Sequence, residues 1–314
     1  MQHHHHHDHG DHDAEHGHGH SHAPADFGRA FAIGVALNGL FVLAEIAFGI
    51  YGNSVALLAD AGHNFGDVLG LGVAWAASVL VRRRPTARFT YGLRGSSILA
   101  ALFNAVFLLI AIGAISLEAI QRLGRPEPVA GGTMIVVAAI GIFVNGATAM
   151  LFAAGRKGDL NLRGAFLHMA SDALVSAGVV VAGLVILLTG WLWLDPLVSL
   201  AINAVIVWST WSLLTGSVKM SLAAVPENID SGEVRHFLEE QPGVAEVHDL
   251  HIWPMSTTET ALTAHLVMPA GAPGDDFLHR LCDALDDNFS IGHATLQIET
   301  GPAGQCALAD ADAV

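Results

Sequence analysis

The sequence predicts an α-helical membrane protein of six transmembrane helices followed by a C-terminal cytoplasmic α+β domain (αββαβ, ferredoxin-like). Three observations predict it. Hydrophobic residues make up 52 % of the 314 and charged residues only 14 %, where a soluble domain carries about 25 % charged. Six apolar segments, each near or above the roughly 20 residues that cross a bilayer, fill the chain up to Pro226. Beyond Pro226 the apolar spacing changes to that of short amphipathic helices and alternating strands.

Residues 1–25 hold eleven of the 19 histidines, interspersed with Asp8, Asp11, Asp13 and Glu15. Such a tract has nothing to bury and is expected to be disordered. Its His-Gly-His-Gly-His-Ser-His pattern differs from a uniform tag and reads as a metal-collecting tail with weak, multi-site binding. No cleavable signal peptide is expected, since the start is polar rather than basic then apolar. The six spans fall at 28–50, 55–80, 94–121, 130–154, 162–189 and 195–217, within a membrane domain of residues 26–222.

Basic residues orient these spans. Arg82, Arg83, Arg84, Arg88 and Arg94 lie between spans two and three. Arg156, Lys157 and Arg163 lie between four and five, and Lys219 follows six. Only Arg122 and Arg125 fall on the other side. Both termini are therefore expected in the cytoplasm, and topology alone accounts for the arginine cluster. Nucleic acid is excluded as a partner by this distribution and by a net charge of −15.

Residues 223–300 form the soluble domain. A helix over Asp230–Glu240, strands over Val244–Trp253 and Thr260–Met268, a helix over Gly274–Phe289 and a strand over Ala294–Ile298 give the order αββαβ. Residues 301–314 read as a flexible tail. The two cysteines, Cys282 and Cys306, offer no disulfide framework.

The chemistry is concentrated in two apolar spans. Asp60-Ala-Gly-His63-Asn-Phe-Gly-Asp67 places His63 and Asp67 on one helix face, and His168-Met-Ala-Ser-Asp172 repeats the spacing in span five. Ionisable groups at bilayer depth are costly and mark an ion or substrate pathway. Each pair could instead be a structural hydrogen bond between helices. Two copies with no Lys or Arg in either helix interior favour a divalent cation, held by two imidazoles and two carboxylates in a tetrahedral set. Asp60 has a supporting role. Glu45, Asn38, Asn104, Asn145 and Asn203 read as interhelical hydrogen-bond partners. Gly62, Gly66, Gly70 and Gly72 permit close helix approach. Zinc suits an N/O tetrahedron, while magnesium and calcium want six or more oxygens; cobalt, nickel and cadmium are not excluded.

In the soluble domain His248, His251, His265, His293 and Glu299 are the candidate ligands. A hairpin centred on Ser256-Thr257 would pair His248 with His265 on one face. In a regular strand His248 and His251, an odd number apart, point to opposite faces. His236 and His279 read as surface histidines.

The run Leu58-Ala-Asp60-Ala-Gly-His63-Asn-Phe-Gly-Asp67 resembles the second-helix signature of the cation diffusion facilitators, and Asn161-Leu-Arg-Gly-Ala-Phe-Leu-His168-Met-Ala-Ser-Asp172 resembles their fifth-helix signature. Val247-His248-Asp249-Leu250-His251-Ile252-Trp253 is similar to the first cytoplasmic strand of the zinc-transporting members. The resemblance covers residues 28–300. It implies a homodimer in a bacterial inner membrane that exports Zn²⁺ in exchange for protons, with zinc preferred by the two-His two-Asp quartet. It adds Glu299 to the His248/His265 pair as a zinc-sensing site. A further site that some relatives hold between helices two and three is expected to be absent, because Arg82–Tyr91 lacks His, Cys and carboxylate. No enzymatic cofactor is implied; zinc is cargo and regulator. Two rivals are weighed against this. An intramembrane metallohydrolase lacks its His-Glu-x-x-His helix and a free general base. A metal-sensing receptor would bind the ion without moving it.

Overall fold

The structure, a computed structural model, describes residues 29–153, 160–271, 273–301, 306 and 308. The expected tail at 1–25, the loop holding Arg156 and Lys157, and most of the C-terminal tail lie outside the described residues. Six long helices come first among those described: α1 Arg29–Tyr51, α2 Val55–Val81, α3 Ser96–Gly124, α4 Gly131–Ala153, α5 Leu160–Thr189 and α6 Leu194–Ser221. The expected spans agree with these to within a few residues. By length and apolarity four of the described stretches could cross a bilayer unaided: Ser96–Gly124, Gly131–Met150, His168–Thr189 and Leu194–Ser221; α1 contributes a shorter apolar stretch, Ala36–Tyr51.

The bundle is held by a core drawn from five helices: Ala56, Leu57 and Ala59 of α2, Leu108 and Ile112 of α3, Met134, Val137 and Ala138 of α4, Val179, Ala182 and Ile186 of α5, and Ile202 and Ile206 of α6. Its outer surface is apolar as well, with Phe143, Leu188 and Trp208 exposed, which a helix bundle tolerates only against lipid or a partner. Close approach of α2 to α3 depends on small residues. A Cβ at Gly66 would collide with the Leu108 side chain, and one at Gly70 would come within 3.1 Å of Asn104 Nδ2. Gly72 has nothing within 4 Å, so it plays no part in this seam.

The first turn of α2 is capped twice. Ser54 Oγ accepts from the Leu57 amide at 3.1 Å and donates to Asp195 of α6. The Asp195 carboxylate also accepts from the amides of Val55 at 2.9 Å and Ala56 at 3.3 Å. The orphan N–H groups of a helix start favour an anion placed there.

The small domain follows as α7 Ser231–Glu239, β1 Glu246–Pro254, β2 Thr260–Val267, α8 Asp275–Phe289 and β3 His293–Glu299. This is the expected αββαβ order. β1 and β2 pair antiparallel and β2 and β3 parallel, giving the sheet order β1-β2-β3. Val234, Leu238, Phe277, Leu281 and Leu285 of the helices pack on Val247, Ile252, Leu262, Ala264 and Leu266 of the sheet. Residues between these on the strands therefore line the opposite face.

The hairpin of this domain touches the membrane bundle. Glu259 lies 2.9 Å from Arg94, the Thr257 amide donates to Ser97 Oγ at 3.0 Å, and His293 meets the Tyr91 ring edge-on with centroids 5.6 Å apart. Topology is thus not the whole account of the arginine cluster: Arg94 also docks the small domain.

Candidate metal centres

Two clusters of titratable side chains stand out, one within the bundle and one on the open face of the sheet. In the bundle, α2 and α5 face each other so that the two His-x-x-x-Asp pairs converge. The shortest contacts cross between helices: His63 Nε2 lies 3.1 Å from Asp172 Oδ1, and His168 Nε2 lies 3.2 Å from Asp67 Oδ2. Within each helix the separations are longer, 3.9 Å for His63–Asp67 and 3.7 Å for His168–Asp172. Asp172 is almost fully enclosed, whereas the His168 side chain is 43 % exposed. The donor atoms of His63, Asp67 and Asp172 lie within 4.8 Å of one another; His168 meets the two carboxylates from the open side. Asp172 Oδ2 has no hydrogen-bond partner, and Asp67 Oδ2 has only the approach of His168 Nε2, which is not aligned as a hydrogen bond. Buried carboxylate oxygens left unpaired are costly, and a cation between them would satisfy both.

A second polar layer lies behind this set. Asp60, fully buried, accepts from Ser176 Oγ at 3.1 Å, and Glu45 of α1 accepts from Asn64 Nδ2 at 2.9 Å. Asn203 donates to Ser116 Oγ at 2.9 Å. Glu45 and Asn203 thus bond between helices as expected, and Asp60 does so as well, through Ser176. Ser176 sits one turn after Asp172, a signal available in the sequence as a third polar position on the same α5 face.

On the sheet, His248 pairs with His265 across the β1–β2 ladder, as the hairpin predicts. Their rings meet edge to face with centroids 5.1 Å apart. Glu299 reaches from β3 to 3.0 Å from His265 Nδ1 and 3.4 Å from His248 Nε2. The latter contact is not aligned as a hydrogen bond, so both nitrogens of the buried His248 ring are unpartnered. Burial opposes ionisation of Glu299, but hydrogen bonds from Cys306 and Gln297 and the facing imidazoles of His248 and His265 together outweigh it and hold its carboxyl below the usual range.

His251 does not point away from His248, as a regular strand would require. His248 pairs with His265 and His251 with Thr263, so three steps on β1 match two on β2. The extra residue is absorbed at Asp249, whose φ of 49° is left-handed, and a bulge of this kind returns His251 to the face of His248. The same shift puts both Val247 and Ile252 in the core. Asp249 is thereby turned toward the site, 3.4 Å from His265 Nε2 and 2.9 Å from His251 Nε2. His251 thus contacts the carboxylate beside the cluster rather than the cluster itself. His293, opposite Ala261 at the far end of β3, is remote from the site and belongs to the docking contact with Tyr91 instead. His236 is exposed beside Glu240.

Two participants escaped the sequence reading. Asp249 could be read from Asn/Asp tolerance of left-handed backbone only if the bulge were known. Cys306 has its Sγ 3.7 Å from His265 Nδ1 and completes a group of four with His248, His265 and Glu299 whose donor atoms all lie within 4.8 Å. Counting cysteines for disulfides gave no reason to place it there.

Comparison with known proteins agrees with both halves of the chain. Residues 31–220 match the cation efflux transmembrane domain and residues 226–301 the cytoplasmic domain of cation efflux proteins. The metal cation efflux system protein CzcD of Cupriavidus metallidurans is 36 % identical over 289 residues, 92 % of this chain and 90 % of that protein. The zinc transporter ZitB of Escherichia coli is 36 % identical over 274 residues, 87 % of each chain. The cadmium, cobalt and zinc/H(+)-K(+) antiporter of Bacillus subtilis is 33 % identical over 271 residues, 85 % of this chain and 86 % of that one. Among solved structures, the metal-bound C-terminal domain of the CzcD transporter is 39 % identical and covers 23 % of this chain and 99 % of its own, with a TM-score of 0.21. Two helical and α+β halves matched in order over nearly the whole length make this a multi-pass membrane transporter, not an enzyme: the chain belongs to the cation efflux family.

Proposed function

We propose that this chain exports Zn²⁺ from the cytoplasm through the intramembrane quartet His63, Asp67, His168 and Asp172, in exchange for protons. The observation that carries this is the cross-helix convergence of two His-x-x-x-Asp pairs, with His63 on Asp172, His168 on Asp67 and the buried Asp172 Oδ2 left without a partner. Two neutral imidazoles and two carboxylates form a neutral complex with a divalent ion, so the metal offsets charge that no Lys or Arg offsets. The His63 and His168 Nε2 atoms now face carboxylates at hydrogen-bond distance. To bond them each nitrogen must carry a proton, and to bind metal it must lose it. Metal and proton therefore compete for the same atoms, which is the physical basis of antiport when access alternates. The relatives' names extend the cargo to cadmium and cobalt, and nickel is compatible with the same donors.

In this reading all six helices cross the bilayer of a bacterial plasma membrane, with both termini cytoplasmic. The membrane domain spans 26–222 and the soluble domain 223–300, and two copies form a homodimer. His248, His265 and Glu299 form a cytoplasmic zinc-sensing site that tightens the dimer as zinc rises.

Vesicles reconstituted with the pure protein test the transport reading. Wild type should accumulate zinc at a rate that rises with an opposing pH gradient, and Asp172→Ala should lose at least about 90 % of that flux while still inserting and dimerising. Flux indifferent to the pH gradient would remove the antiport; flux unchanged in Asp172→Ala would remove the site.

A further inference from the structure

We infer that Cys306 is a fourth ligand of the cytoplasmic centre, so that a metal ion there is enclosed by two imidazoles, a carboxylate and a thiolate. The inference rests on the cytoplasmic site proposed above and extends it. A lone cysteine carries no such weight, but Cys306 does not stand alone. Its sulfur lies 3.7 Å from His265 Nδ1, and every pair of donor atoms among His248, His265, Glu299 and Cys306 is within 4.8 Å. Independently, His248 is 6 % exposed with both ring nitrogens unpartnered, and it faces this same group. Polar atoms buried in that way call for a bound partner.

The dimensions fit a four-coordinate ion. Metal–ligand bonds of ~2.0–2.3 Å in a tetrahedron set donor separations of about 3.3–3.8 Å. His265 Nδ1 to Cys306 Sγ and His248 Nε2 to Glu299 Oε2 measure 3.7 and 3.4 Å, and His265 Nδ1 lies 3.0 Å from the other Glu299 oxygen, a few tenths of an ångström short of that range. The remaining pairs, up to 4.8 Å apart, need only small side-chain rotation. The orientation of His265 fits too. Asp249 lies 3.4 Å from its Nε2, placed to accept that N–H once Nδ1 takes an ion, the usual carboxylate–histidine–metal arrangement. On binding, the thiol releases its proton to water as sulfur takes the ion.

The fourth ligand has two consequences. Three protein ligands leave an open position, whereas four close the site and make it structural. Sulfur also shifts selectivity toward borderline and soft ions, Zn²⁺ and Cd²⁺, and away from Mg²⁺ and Mn²⁺. Because Cys306 follows β3 rather than belonging to it, such an ion would tie the C-terminal segment to the open face of the sheet.

Cobalt loading of the purified full-length chain tests this, because a thiolate ligand gives a near-ultraviolet charge-transfer band that imidazoles and carboxylates do not. The chain has two cysteines, so the assignment is unambiguous, and neither the intramembrane quartet nor the His-rich tail can produce the band. It is expected in wild type and Cys282→Ser and lost in Cys306→Ser and His265→Ala. Affinity at the His248-dependent site should fall at least about tenfold in Cys306→Ser, since even an outer-shell partner is worth about 10–100-fold. A wild type without the band, or a band that survives Cys306→Ser or His265→Ala, overturns the inference. If Cys306→Ser keeps the wild-type visible spectrum and His248→Ala changes it, the three-ligand site stands without the thiol. If His248→Ala leaves every cobalt signal unchanged, the cytoplasmic site itself fails.

Discussion

Asp249 shows how one backbone conformation decides what three side chains can do. Its left-handed φ of 49° costs an ordinary residue roughly 1 kcal/mol or more, but Asp and Asn tolerate it because their short side chains bond locally. That tolerance makes a clean test possible. Asp249→Asn keeps the backbone and removes the charge facing His265, so it should weaken metal binding at the cytoplasmic centre by about 10–100-fold with the ligands unchanged. His251→Ala, which removes a contact to Asp249 and none to the four-residue cluster among the described residues, should change it much less. Competition against a chromophoric chelator reads both, and a larger loss in His251→Ala would assign the ligand role to that histidine instead. The convergence of His63, Asp67, His168 and Asp172 was legible because four-residue spacing on a helix has one geometric meaning. The sheet cluster was less so. His248 and His265 followed from a symmetric hairpin, but a single extra residue at Asp249 reversed the expected side of His251, and nothing in residue order announces a bulge.

At the level of elements, α2 is constrained both at its start and along its middle. Gly66 lets it lie against Leu108 of α3, while Ser54 and Asp195 hold its first turn. Gly66→Ala forces a methyl into a filled seam next to Asp67 and should cost about 1–3 kcal/mol. Asp195→Ala strips a buried cap from several donors and should cost about 1–2 kcal/mol. Thermal unfolding in detergent measures both. The two should differ in function: Gly66→Ala displaces the ligand-bearing middle of α2 and lowers metal affinity, whereas Asp195→Ala acts at its end. Helix positions could be read from apolar length alone, because nothing else explains such runs. The Asp195 cap could not. It joins residues 140 positions apart, and an acidic residue at a helix start looks the same whether it caps its own helix or a neighbour.

Across the whole molecule, the helical bundle and the sheet meet at a small patch that includes Arg94–Glu259, Ser97–Thr257 and Tyr91–His293. Arg94 and Glu259 are each more than a third exposed, so the pair contributes little stability, about 0.2–1 kcal/mol. Its value is positional, since it links the loop after α2 to the hairpin that carries His248 and His265. A double-mutant cycle on Arg94→Ala and Glu259→Ala should return a coupling in that range and shrink it in high salt; zero coupling at low salt would mean the two halves dock elsewhere. The capped start of α2 then acquires a further meaning. With its first turn clasped by α6, α2 is a lever about 40 Å long (27 residues at ~1.5 Å each) with a fixed fulcrum at one end. His63 rides about 12 Å along it, so a tilt of ~10° carries the imidazole ~2 Å and the far end ~7 Å. Two ångströms is about one metal–ligand bond length. Spin labels paired between α2 and α6 should report small zinc-dependent changes near Ser54 and larger ones near Val81. On this geometry a tilt too slight to disturb the clasp would be enough to unlatch an ion held as proposed, and the largest excursion would arrive at the end of α2 that leads through Arg94 to the sheet.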